Sequence, residues 1–528
     1  MSIATDVPSD VAPDATASTH LVHEDGRVTH KGLALLVIAM SQLMVVLDAT
    51  IVNVALPKIS DALHVRTSAD LQWVITAYTI TFGGFLLLGG KLGDRIGRRK
   101  VFMLGAALFA AASLVGGLAG NLGLLIAARA VQGIGGALMS PSALALLTVV
   151  FKEGKERNRA LGIFSGITAG GAAIGLILGG FLTEYASWRW VLFVNVPIAA
   201  AALLGALSFV PESKDDRARG FDITGALLVT GGLMVLVYGL VKGNTYGWTS
   251  PQTAALLLAA AALLALFVVV QQSAEAPLVP FRLFASRTLT GADVGALFIG
   301  AGIFAIFFFL VLWMQVVNGY SPVKSGLLFL PMTFVIGISA GIGSQLLGRV
   351  GPRPLLLTGP LLAALGLFLL GLRLEPDSSY LGVLLPSLLL VAGGMGTTFV
   401  ALTSSAVAGV PHEDAGIASA LLNAGQQIGG ALGLAILTAV STARAEHVFA
   451  HLGQAQSQLQ AALQSHQPLT PQLGALVQQV NHASVSGWKA GFFVGSGLLA
   501  VAAAVMRRLV HVSKEDAAAA LKDAMAAG

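Results

Sequence analysis

Apolar segments of membrane-spanning length recur along the whole chain, and they constrain its fold more than any other feature. Hydrophobic residues make up 55% of the 528 residues and charged residues only 11%, whereas a soluble globular protein carries about 25% charged residues. The charges collect in short loops between apolar stretches of roughly 20 residues, the length that an α-helix needs to cross a bilayer. The sequence therefore predicts an all-α polytopic membrane protein. A membrane β-barrel would show alternating segments of about 10 residues instead.

Fourteen such segments can be counted, and the basic residues predict their orientation. An even number of spans places both termini on the same side of the membrane. Most of the 31 Lys and Arg residues fall in loops and tails that are cytoplasmic if both termini are cytoplasmic, as the positive-inside rule requires. The high Ala and Gly content suggests a bacterial source. We therefore predict a multi-pass protein of the bacterial inner (cell) membrane with both termini in the cytoplasm.

Polar stretches divide the chain into predicted parts. These are a disordered cytoplasmic tail (1–31), an N-terminal six-helix bundle (32–210), a two-helix insertion with flanking cytoplasmic loops (211–290), a C-terminal six-helix bundle (291–506) that includes a long outer loop (441–486), and a cytoplasmic tail (507–528). The first tail lacks the apolar core of a signal peptide. In the outer loop, Thr470-Pro471 followed by apolar residues at helical spacing predicts the start of a helix. This loop is either a plain surface loop or a lid over the outer vestibule.

The two predicted bundles show a weak internal repeat. The run LGDRIGRR at 92–99 corresponds to LLGRVGPR at 346–353, and each run follows the second span of its half. The second copy is degenerate because Gly348 stands where the first has Asp94. Two six-helix halves related by an axis along the membrane normal would produce this pattern.

The glycine-rich basic run GGKLGDRIGRRK at 89–100 resembles the signature loop of major facilitator superfamily transporters. Other runs resemble motifs of the 14-helix drug:proton antiporter branch of this superfamily. The resemblance implies a major facilitator fold with two extra central helices, and proton-coupled export of amphipathic drugs or antibiotics by alternating access. It also implies a conformational switch formed by Gly90, Asp94, Arg95, Gly97, Arg98 and Arg99.

Within that switch, the resemblance implies that Asp94 docks at a helix N-terminus of the second half and locks the outward-facing state. An acid is favourable at the positive end of a helix dipole. The plainer alternative is a solvated loop that only sets membrane topology.

Two ionisable residues lie deep within predicted spans, where each such residue is a functional candidate. Burial in hydrocarbon disfavours the charged form of a carboxyl group, which suits Asp48 for loading and releasing a proton. The surrounding run resembles the first-helix motif of the antiporter branch, which implies proton coupling at Asp48. Arg129, in a run that resembles the fourth-helix motif, stays charged and needs a carboxylate, a carbonyl or water. A static ion pair is the alternative for both, and whether the two residues meet is left open.

The fifth segment carries glycines at spacings that let helices approach closely. They resemble the fifth-helix motif of antiporters, except that Leu176 stands where that motif has a proline. Tight packing with or without a gating role remains open for Gly162, Gly171, Gly175, Gly179 and Gly180.

Polar and aromatic residues elsewhere in the spans are candidates for lining a substrate cavity. Asp293 with nearby aromatic rings could bind a lipophilic cation, although an acid near a helix N-terminus is favourable in any case. Each of these side chains could instead serve helix packing. The candidates are Gln42, Asn53, Gln132, Asp293, Phe304, Phe308, Asn423 and Gln427.

Several function classes are disfavoured. The chain has no phosphate loop of the Gly-x4-Gly-Lys-Ser/Thr type and no cysteine for thiolate metal ligation. We predict no enzymatic activity, no cofactor or metal, a proton as the coupling ion and no nucleic-acid partner. We predict a monomer in the lipid bilayer that handles lipophilic or cationic small molecules. The alternatives are a facilitator or importer of a small polar metabolite, and a membrane receptor or scaffold that does not transport.

Overall fold

A computed structural model describes residues 20–22, 28–65, 67–152, 154–215, 220–408, 410–411, 414–449 and 471–512. Within these ranges, thirteen helices are long and apolar enough to cross a membrane. One further helix, Lys155–Tyr185, has a shorter apolar stretch at Gly170–Tyr185. With that helix included, the order of the helices matches the fourteen predicted spans.

The N-terminal bundle contains six long helical spans and two short turns of helix. Its elements are α1 (Lys31–Ala62), α2 (Ser68–Leu71), α3 (Trp73–Ile96), α4 (Arg98–Gly117), α5 (Leu122–Val150), α6 (Lys155–Tyr185), α7 (Trp190–Phe193) and α8 (Asn195–Phe209). The side chain of Asn121 accepts a hydrogen bond from the N–H of Leu124 and so caps α5. Gly97, at φ 128°, ends α3 and lets the chain reverse directly into α4.

The insertion consists of two helices, α9 (Ile223–Tyr246) and α10 (Pro251–Ser273). Helix α9 contacts both bundles. Lys242 forms a 2.8 Å ion pair with Asp70 of α2, and Asn244 donates a 2.7 Å hydrogen bond to the carbonyl oxygen of Ala439 in the C-terminal bundle. Most of α10 is exposed away from α9, as expected for an apolar helix that faces lipid.

The C-terminal bundle has the same general construction. A 3₁₀ turn (Phe281–Ala285) precedes α11 (Arg287–Leu312), a π turn (Trp313–Val317), α12 (Pro322–Leu328), α13 (Leu330–Val350), α14 (Pro352–Arg373), a π turn (Tyr380–Leu384), α15 (Leu385–Val407), α16 (Ala415–Phe449) and α17 (Pro471–Leu509). Gly351, at φ 76°, separates α13 from α14 as Gly97 separates α3 from α4. The paired turns are what the internal repeat in the sequence predicts.

Glycine ladders repeat the same close helix contact in both halves. Gly171, Gly175 and Gly179 of α6 pack against α1, and a Cβ atom at Gly179 would lie 2.8 Å from the carbonyl oxygen of Ile51. Gly425, Gly429 and Gly433 of α16 pack against α11, and a Cβ atom at Gly433 would overlap the backbone of Ala301. Small residues four apart let two helical backbones touch.

The two bundles touch at one end and separate at the other, which carries the signature loop at 89–100. At the touching end, a Cβ atom at Gly180 would lie 2.7 Å from the carbonyl oxygen of Pro322, and Gln315 donates a 2.9 Å hydrogen bond to the carbonyl oxygen of Val54. Toward the loop end, no described atom lies within 4 Å of a Cβ placed at Gly162, Gly166 or Gly170 of α6, or at Gly337, Gly341 or Gly348 of α13. We call the signature-loop end the open side, because these glycines of α6 and α13 contact no other described helix there.

Two predicted boundaries need correction. Within the predicted disordered tail, His20–Val22 pairs with Val28–His30 as a short antiparallel ladder, because backbone pairing of this kind requires no apolar pattern. Helices also occupy both ends of the predicted outer loop, since α16 continues to Phe449 and α17 begins at Pro471. The predicted helix start at Pro471 is confirmed, but this helix runs on into the last span. Residues 450–470, and with them any lid, lie outside the described residues.

The glycine contact between α16 and α11 predicts a sharp effect on stability. Gly433→Leu would force the backbones of α16 and α11 apart and lower the free energy of unfolding by about 1–3 kcal/mol, the usual cost of overpacking. Gly341→Leu is the matched control, since space is open there. Thermal unfolding of the purified protein in detergent checks both variants. Equal unfolding midpoints for the two variants would contradict this account.

Candidate functional site

A buried ion pair lies between α1 and α5. Asp48 is completely buried and Arg129 is 2% exposed, and Nη1 of Arg129 lies 2.5 Å from Oδ2 of Asp48. The structure thus brings together the two residues whose meeting the sequence leaves open. Removing two charges from water costs several kcal/mol each, and only good geometry with further hydrogen bonds compensates for it.

Three donors surround the Asp48 carboxylate. In addition to Arg129 at Oδ2, the side-chain amides of Gln132 and Asn195 donate to Oδ1 at 2.7 and 2.9 Å. Hydrogen bonds of this kind complement a negative charge and are stronger than those between neutral groups. In this conformation the site is therefore built for the ionised carboxylate.

Arg129 is held from several sides besides the carboxylate. Its Nε donates to the carbonyl oxygen of Val74 at 3.0 Å, and its Nη1 donates to Oε1 of Gln132 at 2.8 Å. The guanidinium carbon lies 4.3 Å from the centre of the Tyr78 ring, which adds a cation–π attraction. Arg129 therefore has three partners in addition to Asp48: a backbone carbonyl, an amide oxygen and an aromatic ring.

Five helices of the N-terminal bundle contribute to this network. Arg129 and Gln132 are three residues apart on α5 and so share one face. Gln132 also donates to Oγ of Ser113 on α4 at 2.8 Å, and Asn195 is the first residue of α8. We refer to Asp48, Tyr78, Ser113, Arg129, Gln132 and Asn195 as the buried network.

The sequence analysis misses three members of the network, all of them uncharged. Tyr78, Ser113 and Asn195 resemble ordinary packing residues, and only the single Asn within the apolar run VLFVNVP could have drawn attention. The hydroxyl of Tyr78 and Oδ1 of Asn195 are buried without a hydrogen-bond partner among the described residues. Such unused polar capacity is uncommon in native proteins and leaves room for the network to rearrange.

The predicted switch residues form a cluster with the linker that follows α8. Asp94 accepts a 2.9 Å hydrogen bond from Nε of Arg98, and its carbonyl oxygen accepts one from the N–H of Asp215. The N–H of Arg99 donates to Glu212 at 3.0 Å. In this conformation, these bonds keep Asp94 within the N-terminal half, and its docking to the second half stays a prediction.

The remaining switch residues support the same loop. The guanidinium carbon of Arg95 lies 5.2 Å from the centre of the Phe221 ring. Gly97 provides the left-handed turn, and a Cβ atom at Gly90 would lie 3.7 Å from Pro141. Linker and loop are therefore packed as one unit.

The predicted packing glycines of α6 divide into two groups. Gly171, Gly175 and Gly179 contact α1, and Gly180 contacts α12 at the touching end of the bundles. Gly162 has no described neighbour within 4 Å of a Cβ position, so it packs against no helix in this conformation. A gating role for these glycines stays a prediction.

The structure distributes the predicted cavity residues among different environments. Gln132 belongs to the buried network, and Phe308 is fully buried, with its ring centre 5.7 Å from that of Phe309. In this conformation Phe308 is a core residue, and its place in a substrate cavity stays a prediction. Phe304 packs over Gly430.

The polar candidates make mainly local contacts. Oγ of Ser140 donates to Gln42 at 3.4 Å, Asn53 donates to the carbonyl oxygen of Ala49, and Asn423 donates to that of Ser419. Gln427 lies against Gly83. Both carboxylate oxygens of Asp293 are buried and accept no hydrogen bond from any described residue.

No group of three or more His, Cys, Asp or Glu side chains that could hold a metal ion occurs in the part of the chain that the structure describes. The buried network itself contains a carboxylate, a guanidinium group, amides and hydroxyls, which are groups that can pair charges and exchange protons.

Known proteins match most of this chain. The family model described as Major Facilitator Superfamily matches residues 38–434. The puromycin resistance protein pur8 of Streptomyces alboniger is 42% identical over 411 residues, which are 77% of this chain and 81% of the relative. The tetracenomycin C resistance and export protein of Streptomyces glaucescens is 36% identical over 488 residues, 89% of this chain and 90% of the relative.

Solved structures show the same fold at low sequence identity. A bacterial homologue of the human lysosomal transporter Spinster, in an inward-facing and occupied conformation, aligns with a TM-score of 0.64 at 17% identity. The alignment covers 91% of this chain and 97% of that chain.

The buried network predicts unequal effects of removing its two charges. Arg129→Leu leaves the Asp48 carboxylate buried without its cation and should lower the free energy of unfolding by about 3–5 kcal/mol. The double variant Asp48→Asn/Arg129→Leu should recover part of that loss. Thermal unfolding of the single and double variants checks the coupling between the two residues. Purely additive effects would show that the pair does not act as a unit.

Proposed function

Because the chain belongs to the major facilitator superfamily, we propose that it is a proton-coupled exporter of amphipathic drugs or antibiotics. Its curated relatives include proteins named for puromycin resistance and for tetracenomycin C resistance and export. The observation that carries the proton-coupling part of the proposal is the completely buried Asp48–Arg129 pair. A charge is retained inside a membrane bundle mainly where it serves transport or proton relay.

The proton and Arg129 compete for the same carboxylate. Arg129 occupies Oδ2 of Asp48, and two amides occupy Oδ1. A proton on Asp48 would remove most of the attraction to Arg129, which would keep its bonds to Val74 and Gln132. Protonation therefore loosens the link between α1 and α5 without leaving Arg129 unpaired. A change in protonation is thus converted into a change in helix packing.

We assign the open side to the cytoplasm, since the basic signature loop lies there and positive loops stay cytoplasmic. In this state, Asp48 has released its proton to the cytoplasm and is paired with Arg129, and the drug binds from the same side. In the opposite state, Asp48 takes a proton from outside while the drug leaves. Each cycle exchanges inward proton flow for outward drug movement by alternating access.

The same proposal covers location and partners. The chain resides in the inner (cell) membrane of a bacterium with both termini cytoplasmic, and it works as a monomer. Its partners are lipophilic or cationic small molecules and the surrounding lipid. The contact with lipid is supported by the exposed apolar surface of helices such as α10.

Substitution of Asp48 tests the coupling. In proteoliposomes, Asp48→Asn should reduce drug transport driven by a proton gradient by about tenfold or more, the loss expected when an essential proton-transfer group is removed. Asp61→Asn is the matched control, because Asp61 is exposed at the end of the same helix. Full proton-driven transport by Asp48→Asn at normal expression would refute the coupling assignment.

Substitution of Asp94 tests the switch separately. Asp94→Asn removes the ion pair with Arg98 and should reduce transport several-fold while leaving membrane topology unchanged. Because the chain has no cysteine, single introduced cysteines report topology through labelling from either side of the membrane. If the variant transports like the unaltered protein, the loop acts only in topology.

A further inference from the structure

Asp293 of α11 is a second buried carboxylate, and its surroundings are the reverse of those of Asp48. Asp48 receives three hydrogen bonds from side chains. Neither carboxylate oxygen of Asp293 receives one from the described residues, although both oxygens are buried. An ionised carboxylate is costly without donors in a low-dielectric interior, so the neutral carboxyl group is the form that suits this position.

The position of Asp293 excludes a role as a helix cap. It follows Arg287, the first residue of α11, by six positions, or roughly 9 Å along the helix axis at about 1.5 Å per residue. The favourable effect of a helix N-terminus on an acid falls off within the first turn. Ser286 already caps α11 by accepting from the N–H of Leu289. Asp293 lies instead where α11 meets Gly425 of α16, whose Cβ position is 3.4 Å from the Asp293 carbonyl oxygen.

The charged groups on the neighbouring elements do not neutralise Asp293. Helix α15 has no ionisable side chain, and the two buried charges of α1, Lys31 and Asp48, are paired with Glu156 and Arg129. Arg282 of the preceding 3₁₀ turn forms a 2.7 Å ion pair with Asp414. The other ionisable residues of these helices are Arg287 on α11, Lys31, Lys58 and Asp61 on α1, Arg444, Glu446 and His447 on α16, and His482, Lys489, Arg507 and Arg508 on α17, where Lys489 forms a 2.5 Å ion pair with Glu375. In the described residues none of them donates a hydrogen bond to Asp293.

We propose that Asp293 is an exchange site for lipophilic cations. Its carboxyl group holds a proton when no substrate is bound. When a cation such as a quaternary ammonium or phosphonium arrives from the open side, the O–H bond breaks, the proton passes to water on that side, and the carboxylate becomes the counter-ion of the bound cation. Charge is conserved, because one cation enters as one proton leaves. The inference rests on the proposed export function, to which it adds a substrate class and a residue that selects for it.

The two carboxylates then have separate tasks. Asp48 has a permanent cation within the protein and responds to the proton gradient. Asp293 has no cation as a hydrogen-bond partner among the described residues and can accept that of a substrate. Uncharged substrates would leave Asp293 protonated and still be carried by the cycle that Asp48 drives.

Binding of tetraphenylphosphonium to the purified full chain tests this inference. In weakly buffered detergent solution, the unaltered protein should release about one proton per cation bound, as linkage between the two ligands requires. Asp293→Asn and Asp293→Leu should bind the cation about tenfold more weakly, or about 1.4 kcal/mol, and release no proton. Asp293→Glu should restore both, and Asp61→Asn should match the unaltered protein. Triphenylphosphine oxide, which keeps aromatic rings without the charge, should cause no proton release.

The outcomes separate the inference from the proposed function. If Asp293→Asn and Asp293→Leu, with normal thermal unfolding, bind tetraphenylphosphonium within twofold of the unaltered protein, Asp293 is not the cation site. If only one of the two variants unfolds early, the other decides the matter. If both do, proton release on binding is measured with Asp48→Asn, in which release of about one proton supports Asp293 as the exchange site and no release refutes it. Proton-driven export of an uncharged drug by the unaltered protein is measured separately. Its failure would overturn the export function while the binding result for Asp293 stood.

Discussion

The structure depends on one requirement, that two opposite charges removed from water must be satisfied by the protein alone. Asp48 and Arg129 meet it with partners drawn from five helices of the N-terminal bundle. Because these partners come from several helices, a change at the carboxylate alters several helix contacts together. The buried network is therefore both the polar core of the bundle and the part of it that can respond to a proton.

The two halves share a scaffold but not this chemistry. Gly179 faces Ile51 in the first half as Gly433 faces Ala301 in the second. Counting three residues back along α1 and α11 places Phe298 at the position that corresponds to Asp48. The repeat thus preserves the close packing that any such bundle needs, whereas the charged network is confined to the first half. The helix packing is thus similar in both halves, while the charge pair that responds to the proton gradient lies in the first half.

The sequence predicts the architecture well because hydrocarbon imposes simple rules on length and charge. Asp48 and Arg129 could be singled out for the same reason, since a charge in an apolar segment is conspicuous. Their meeting, and the parts played by Ser113 and Asn195, could not be predicted, because they depend on how distant helices pack. Whether Phe308 faces a cavity or the core could not be predicted, because apolar rings follow one helical pattern in both. The long outer loop was overestimated because polar helices extend beyond the bilayer.

The inserted helix α9 is bonded to α2 through Lys242 and to α16 through Asn244, so it spans the seam between the halves on one flank of the molecule. On the opposite flank, Glu184 of α6 accepts a 3.0 Å hydrogen bond from the N–H of Val323 in α12 at the touching end, whereas the glycines of α6 and α13 nearer the signature loop face open space. Both flanks are thus joined near the touching end, so the two halves can pivot about that end. Pivoting about the touching end changes the gap on the signature-loop side, where the described glycines of α6 and α13 already face open space.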